Sequence, residues 1–295
     1  MSLDTNTIIR VLTTLSLGGL LLGVGMRLTG AQVRDALRRS HLGWLLPLNF
    51  VAVPLLTIGA IRSLNVPTEI AIGMVLLGAA PFAPVVPVFA RMARADLALA
   101  AGLTALFPFV SVFLTPLICE WSLKAVPGAE SLHFSFLMIL GVLVSTITLP
   151  LTLGVLVRQR WPGFANRVLR PVEIVSEAAG AVSLAFVTVV EFQNIMHTGW
   201  KPLLAMALVS EVALLLGYWL SGPIRAIRRV TGLGTSNRNI ALAILVAVGS
   251  FPGTPIVGAV VANGLLLILL GLVHVALWRF CWPDTDSASA TRPTT

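Results

Sequence analysis

Residues 230–251 read VTGLGTSNRNIALAILVAVGSF. The stretch is long enough to cross a bilayer, and its second half is plain apolar helix. Its first half is Gly-Leu-Gly-Thr-Ser-Asn-Arg-Asn, which suits no lipid-facing helix. Irregular backbone at membrane depth survives only where protein or a water-filled cavity surrounds it. Interrupted helices of this kind build the midplane sites of secondary transporters. This stretch therefore points to a transporter, with this helix carrying half of its site.

The rest of the composition agrees. Of 295 residues, 57% are hydrophobic and 11% charged, with a mean hydropathy of +0.94. A soluble domain carries about 25% charged residues. The apolar runs are helical in length, and the alternating pattern of a membrane β-barrel is absent. An all-α polytopic membrane protein is therefore expected. The net charge of +8 does not indicate nucleic acid, because the basic residues sit in short loops between apolar runs. Cys119 and Cys281 are expected near opposite membrane faces and lie in no metal-type spacing. The first apolar run lacks a cleavable-signal layout and reads as a retained helix.

Nine spans can be drawn, at about 8–28, 42–62, 68–90, 97–118, 134–157, 171–192, 201–221, 230–251 and 255–278. With the N-terminus outside, fifteen of the twenty Lys and Arg residues fall on one face. Arg10, Arg62, Lys124 and Lys201 fall on the other, and Arg238 on neither. The positive-inside rule makes the richer face cytoplasmic. A bacterial plasma (inner) membrane is expected, since the chain shows no organelle-type leader. The seven tryptophans fall at or near span ends, as an interfacial belt requires. Residues 1–281 then form one transmembrane domain, and the polar tail 282–295 reads as disordered.

The third span carries Pro81, Pro84 and Pro87. Each removes a backbone donor and crowds the preceding turn, so this span should be discontinuous like the eighth. The two match in position if the first half lacks its first helix. Repeat 1 (about 8–118) and repeat 2 (about 134–281) are then inverted copies, with two discontinuous helices crossing near the midplane.

At these helices the sequence resembles the sodium/bile acid symporter family. LGVGMRLTGAQVRDALRR (22–39) is similar to the family's first conserved segment. PFAPVVPVFARMARADLALA (81–100) aligns without gaps to its segment that begins Pro-Gly-Gly-Thr-Ala-Ser-Asn-Val, and GLTALFPFVSVFLTP (102–116) continues the match. The resemblance implies a ten-helix inverted repeat, or nine helices when the first is absent, with a panel domain and a core domain. It also implies a set of sodium ligands, and this chain departs from most of them. The family's Ser-Asn pair falls on Val86 and Pro87, and a ligand serine on Ala100. Thr104 keeps a threonine ligand, and a glutamine becomes Asn49. With the family arginine placed on Arg229, its glutamate becomes Gly234 and its glutamine Arg238, while Asn239 keeps the asparagine. A register that starts instead at Arg238 leaves only about 20 Å of helix before Pro252, short for a core of about 30 Å. The sodium-binding glutamate and glutamine are missing in either register.

Arg238 is the sharpest candidate. An arginine inside a membrane normally pairs or lines a cavity, and a guanidinium forks onto carboxylates without deprotonating. Here it can stand where the family places a sodium ion and meet an anionic substrate; the alternative is an arginine that snorkels to the inner interface. Glu211 falls mid-span. It reads as a partner for Arg238, a proton-coupling group or a packing residue. Glu177 is a second coupling candidate, although with Glu173 it equally suits interfacial salt bridges to Arg167 or Arg170. Thr235, Ser236, Asn237 and Asn239 can satisfy freed backbone groups or bind substrate oxygens. Asn49, Thr104, Pro84 and Pro87 complete the candidate substrate site, with Asn263 a minor addition. The four histidines lie near span ends and form no ligand cluster.

Transport of a small organic anion by alternating access is thus the leading reading. Its coupling is absent, by proton, or by a residual Na⁺ site. Efflux carriers of the same superfamily are a second possibility, though the arsenite type would need a cysteine near Pro81. A membrane enzyme would need a nucleophile and base, and a sensor would need a soluble output domain. No metal or organic cofactor, nucleotide domain or nucleic-acid partner is expected. The lipid bilayer is the expected environment, and oligomeric state is not legible.

Overall fold

The computed structural model describes residues 4–27, 38, 41–129 and 136–281. Most of the basic stretch at 28–39, His133, Trp282 and the polar tail 282–295 lie outside them. Every regular element described is helical. Seven helices are long and apolar enough to cross a membrane by length and composition. They are α1 (Thr5–Arg27), α2 (Leu42–Leu64), α5 (Leu97–Lys124), α6 (Phe136–Arg160), α7 (Pro162–Val190), α9 (Trp200–Trp219) and α12 (Ile256–Phe280). Two interrupted pairs lie between them in the chain. These are α3 (Thr68–Gly78) with α4 (Val86–Met92), and α10 (Arg225–Ser236) with α11 (Ile240–Ser250). The short α8 (Phe192–Met196) comes directly after α7.

The chain chemistry explains the interruptions, and three expectations shift. Pro81 and Pro84 lie in the break after α3, but Pro87 sits in the first turn of α4. An N–H is not needed there, so Pro87 helps to start a helix rather than to end one. The run Gly232–Ser236 is helical and belongs to α10; only Asn237–Asn239 leave the helix. Arg238 therefore stands halfway along this element, between helices of 12 and 11 residues. The sixth span starts at Pro162 and runs through Pro171 for 29 residues. Glu177, near the start of the span drawn at 171–192, falls near the middle of this helix.

Two helices contain a π turn, at Leu48–Ala52 in α2 and Val144–Thr148 in α6. Each has the same cause. In α2 the Val53 N–H reaches back five residues to the Leu48 carbonyl. The next donor in that register would be Pro54, which has no N–H. In α6 Leu149 bonds Val144 and Pro150 comes next. The extra residue widens the helix where proline withholds its bond.

The helices pack as two groups. In one, α1 lies along α6 and α7. Small residues set the approach: a Cβ on Gly25 would fall 2.3 Å from the Leu151 carbonyl oxygen, and one on Gly154 would fall 2.3 Å from that of Leu22. Such close backbone contact is a usual membrane seam. In the other group α9 packs on α2 and α10, and α12 on α3 and α11. Large apolar side chains such as Leu137, Val189 and Phe280 point outward, about three-quarters exposed. That surface suits lipid and not water. Trp44, Trp121, Trp161, Trp200 and Trp219 are at least half exposed, but Trp278 is buried and stacks on Tyr218.

Candidate functional site

The two interruptions meet and satisfy each other's main chains. The Ala83 N–H donates to the Asn237 carbonyl at 3.0 Å, and the Asn239 N–H donates to that of Ala80 at 2.8 Å. The Ala79 carbonyl, freed by the break, accepts from the Thr115 hydroxyl of α5 at 2.7 Å. Asn237 Nδ2 donates to the Leu233 carbonyl at 3.0 Å, and Asn239 Oδ1 caps α11 by accepting from the Leu242 N–H at 3.0 Å. An unpaired buried backbone group would cost about 1–3 kcal/mol, so this accounting lets the chain stay irregular while buried. Phe82 completes the junction at φ 57°, a left-handed conformation. Its ring stacks on Phe107 with centroids 4.3 Å apart. A Cβ on Gly234 would fall 2.0 Å from the Phe82 Cζ, so only glycine fits there.

Arg238 is buried beside this junction, 4% exposed. Its two terminal nitrogens donate to the Asn49 carbonyl at 3.4 and 3.3 Å, and Nη1 also reaches Asn49 Oδ1 at 3.3 Å. The π turn makes this possible: the Asn49 carbonyl is the acceptor that Pro54 leaves without a main-chain donor. Asn49 Nδ2 in turn donates to the Leu45 carbonyl and to the Thr235 hydroxyl. Among the described residues Arg238 has no carboxylate partner.

A cavity of about 410 Å³ lies between α1 and α7 on one side and the junction on the other. Its walls are mainly apolar. Its polar groups are Thr13, Ser16 and Ser183 on the α1–α7 side, with Glu177, and Arg238 and Asn239 on the junction. Thr13 and Ser183 hydrogen bond across the α1–α7 contact at 2.7 Å. Pro84 borders both this space and a neighbouring one of about 140 Å³. Pro87, Thr104 and Glu177 line the smaller space together with Arg27, Arg91 and Glu173. The Thr104 hydroxyl is buried with no hydrogen-bond partner. Ser236 donates to the Leu233 carbonyl at 3.3 Å, and Thr235 accepts from Asn49. These side chains serve the backbone and the arginine network.

Glu211 lies apart from Arg238, whereas Glu177 lines the cavity that Arg238 also borders. Glu211 meets His274 of α12, with Oε2 3.2 Å from Nε2. That histidine is mostly buried. Glu173 pairs with Arg27 of α1, not with Arg167 or Arg170. Glu177 is exposed toward the two cavities and makes no ion pair among the described residues. Arg229 is buried too, donating to the Ala93 carbonyl at 3.0 Å and lying 6.0 Å from the Trp278 ring centroid. The sequence held one signal for the Arg238 partner: a proline five residues after an in-span asparagine. It held none for the Glu211–His274 pair or for the Phe82 plug.

Residues 14–198 match the family model described as the sodium bile acid symporter family. The chain is 26% identical over 272 residues to a probable sodium/metabolite cotransporter, BASS1, of Arabidopsis thaliana, covering 88% of this chain and 64% of the relative. It is 23% identical over 279 residues to the probable cotransporter BASS2 of Oryza sativa, covering 91% and 64%. It is 24% identical over 214 residues to the uncharacterized sodium-dependent transporter YocS of Bacillus subtilis, covering 70% and 63%. The alignments thus span a little under two thirds of each of these relatives.

Proposed function

The chain belongs to the sodium bile acid symporter family, a family of transporters and not of enzymes, and on that premise we propose that it carries an organic anion by alternating access. The observation that carries this reading is the 410 Å³ cavity, with apolar walls and a buried arginine that has no carboxylate among the described residues. Apolar walls accept a hydrocarbon body, and a few placed polar groups fix its orientation. Arg238 offers an anionic headgroup a charge that is present before the substrate arrives.

In this reading the interrupted pairs α3/α4 and α10/α11 add two spans to the seven continuous ones. The nine form inverted repeats whose broken helices cross at the site. The N-terminus is outside, the C-terminus cytoplasmic and the membrane a plasma membrane. α1, α6 and α7 form the panel against which the core moves. Arg238 substitutes for a coupling sodium, so transport does not need one. The position of the family's glutamate, Gly234, supports this, because Phe82 leaves no room there for any side chain.

A second reading keeps a weak sodium site, favoured by the buried Thr104 hydroxyl, which has no partner among the described residues beside the smaller cavity, and by the sodium coupling in the names of the relatives. Glu211 is less suited to proton coupling at the cavity, since it pairs with His274 away from it.

Proteoliposomes loaded with labelled organic anions, under a Na⁺ gradient or none, separate the two. We expect uptake without sodium that falls at least about tenfold in Arg238→Gln, the loss of roughly one charge-assisted contact. Sodium-dependent uptake that is unchanged in the variant would overturn the proposal.

A further inference from the structure

A second space adjoins Arg238. It holds about 20 Å³, room for one atom the size of a water or a halide. Thr57 of α2, Ser210 of α9, Ser236 of α10 and Asn263 of α12 all line it, with Arg238. Asn49, Val53 and Thr57 recur at four-residue spacing on α2. The bonds to Asn49 therefore bring the guanidinium end of Arg238 to the same helix face that walls this space.

We propose that this space binds a small monovalent anion, chloride in the cell, as the counter-ion of Arg238. Two observations support it independently. The first is charge. Arg238 is buried, and its partner Asn49 is neutral. Glu211 is engaged by His274 and Glu173 by Arg27, while Glu177 faces the main cavity without an ion pair among the described residues. A buried charge is paired or coordinated, because an isolated one is strongly disfavoured.

The second observation is the donor set. Asn263 is 6% exposed. Its Oδ1 is fully buried with no partner among the described residues, so the end of the amide that meets the space is Nδ2. The Ser210 hydroxyl makes no hydrogen bond among the described residues. Thr57 and Ser236 already donate to the Val53 and Leu233 carbonyls. The free donors are thus the remaining guanidinium N–H groups, one hydroxyl and one amide. In the resting protein, before an anionic substrate reaches Arg238 from the large cavity, a water would fill the space but leave the charge unmatched, whereas a halide answers both. The proposal rests on the charge balance at Arg238 and not on the identity of the transported substrate.

The test is thermal unfolding of the purified full chain in detergent. Sodium chloride or bromide is titrated against sodium gluconate at constant ionic strength. The expected result is a saturable rise of about 5 °C in halide at a hundredfold excess over the dissociation constant. Asn263→Leu fills the space and should abolish the shift. Should that variant not fold, Ser210→Ala should weaken the apparent halide affinity severalfold. An anomalous-scattering map of a bromide-soaked crystal would show a peak beside Arg238. Equal stability of the wild type in chloride and gluconate, or an undiminished shift in Asn263→Leu or Ser210→Ala, would overturn the site and leave a water there. Failure of organic-anion uptake with the halide shift intact would sink the transport reading alone.

Discussion

The two interruptions at the centre of the molecule are made by opposite means. The break between α3 and α4 withholds donors. Pro81 and Pro84 have no N–H, and Phe82 turns left-handed. It carries no polar side chain of its own, so Thr115 reaches in from α5 to serve the Ala79 carbonyl. The break between α10 and α11 contains no proline. It offers substitutes instead, with Asn237 and Asn239 bonding the adjoining helix ends. A break made by proline depends on its neighbours. One made by amides supports itself, and so can spare a third residue, Arg238, to face a cavity.

That contrast can be broken, or sharpened, by substitution. The largest effect should come at the contact where the two breaks interlock. Gly234→Leu would drive a side chain into the Phe82 ring and destabilise by about 3 kcal/mol, read as thermal unfolding in detergent. Adding Phe82→Ala should recover much of that loss; an equal loss in that background would show that the ring is not the obstacle. Thr115→Val should cost about 2 kcal/mol, because it orphans a buried carbonyl. A neutral result would mean that the proline break serves itself after all. Asn239→Ala should cost about 1 kcal/mol through the lost cap of α11, with Asn239→Ser close to wild type. If serine proved as damaging as alanine, the cap would not be the reason for asparagine here.

Much of this was legible from the chain. Apolar run length located the helices to within a few residues except at the fourth, sixth and eighth spans, because hydropathy is set by lipid and needs no partner. The positions of both breaks were legible because proline and clustered amides act locally. The residues that meet across the fold were not. Nothing local links Phe82 to Gly234, 152 positions away, since what joins them is complementary volume. His274 gave no sign of a partner, because its carboxylate lies on another helix. Arg238 stood out as a charge, but its partner is a carbonyl, a group that every residue has. Only the placing of Pro54 after Asn49 distinguished that one.

The reciprocal bonds between the breaks also govern how the molecule can move. To slide one interruption past the other would uncover the Ala83 and Asn239 amides and their two acceptors at once. The four half-helices are thus riveted at a common pin. In the proposed transport cycle, the rearrangement that turns the large cavity from one side of the membrane to the other has to carry that pin along as a rigid block. The compliance must be sought elsewhere, along the face where α1 and α7 meet it through short hydroxyl-bearing and aliphatic side chains.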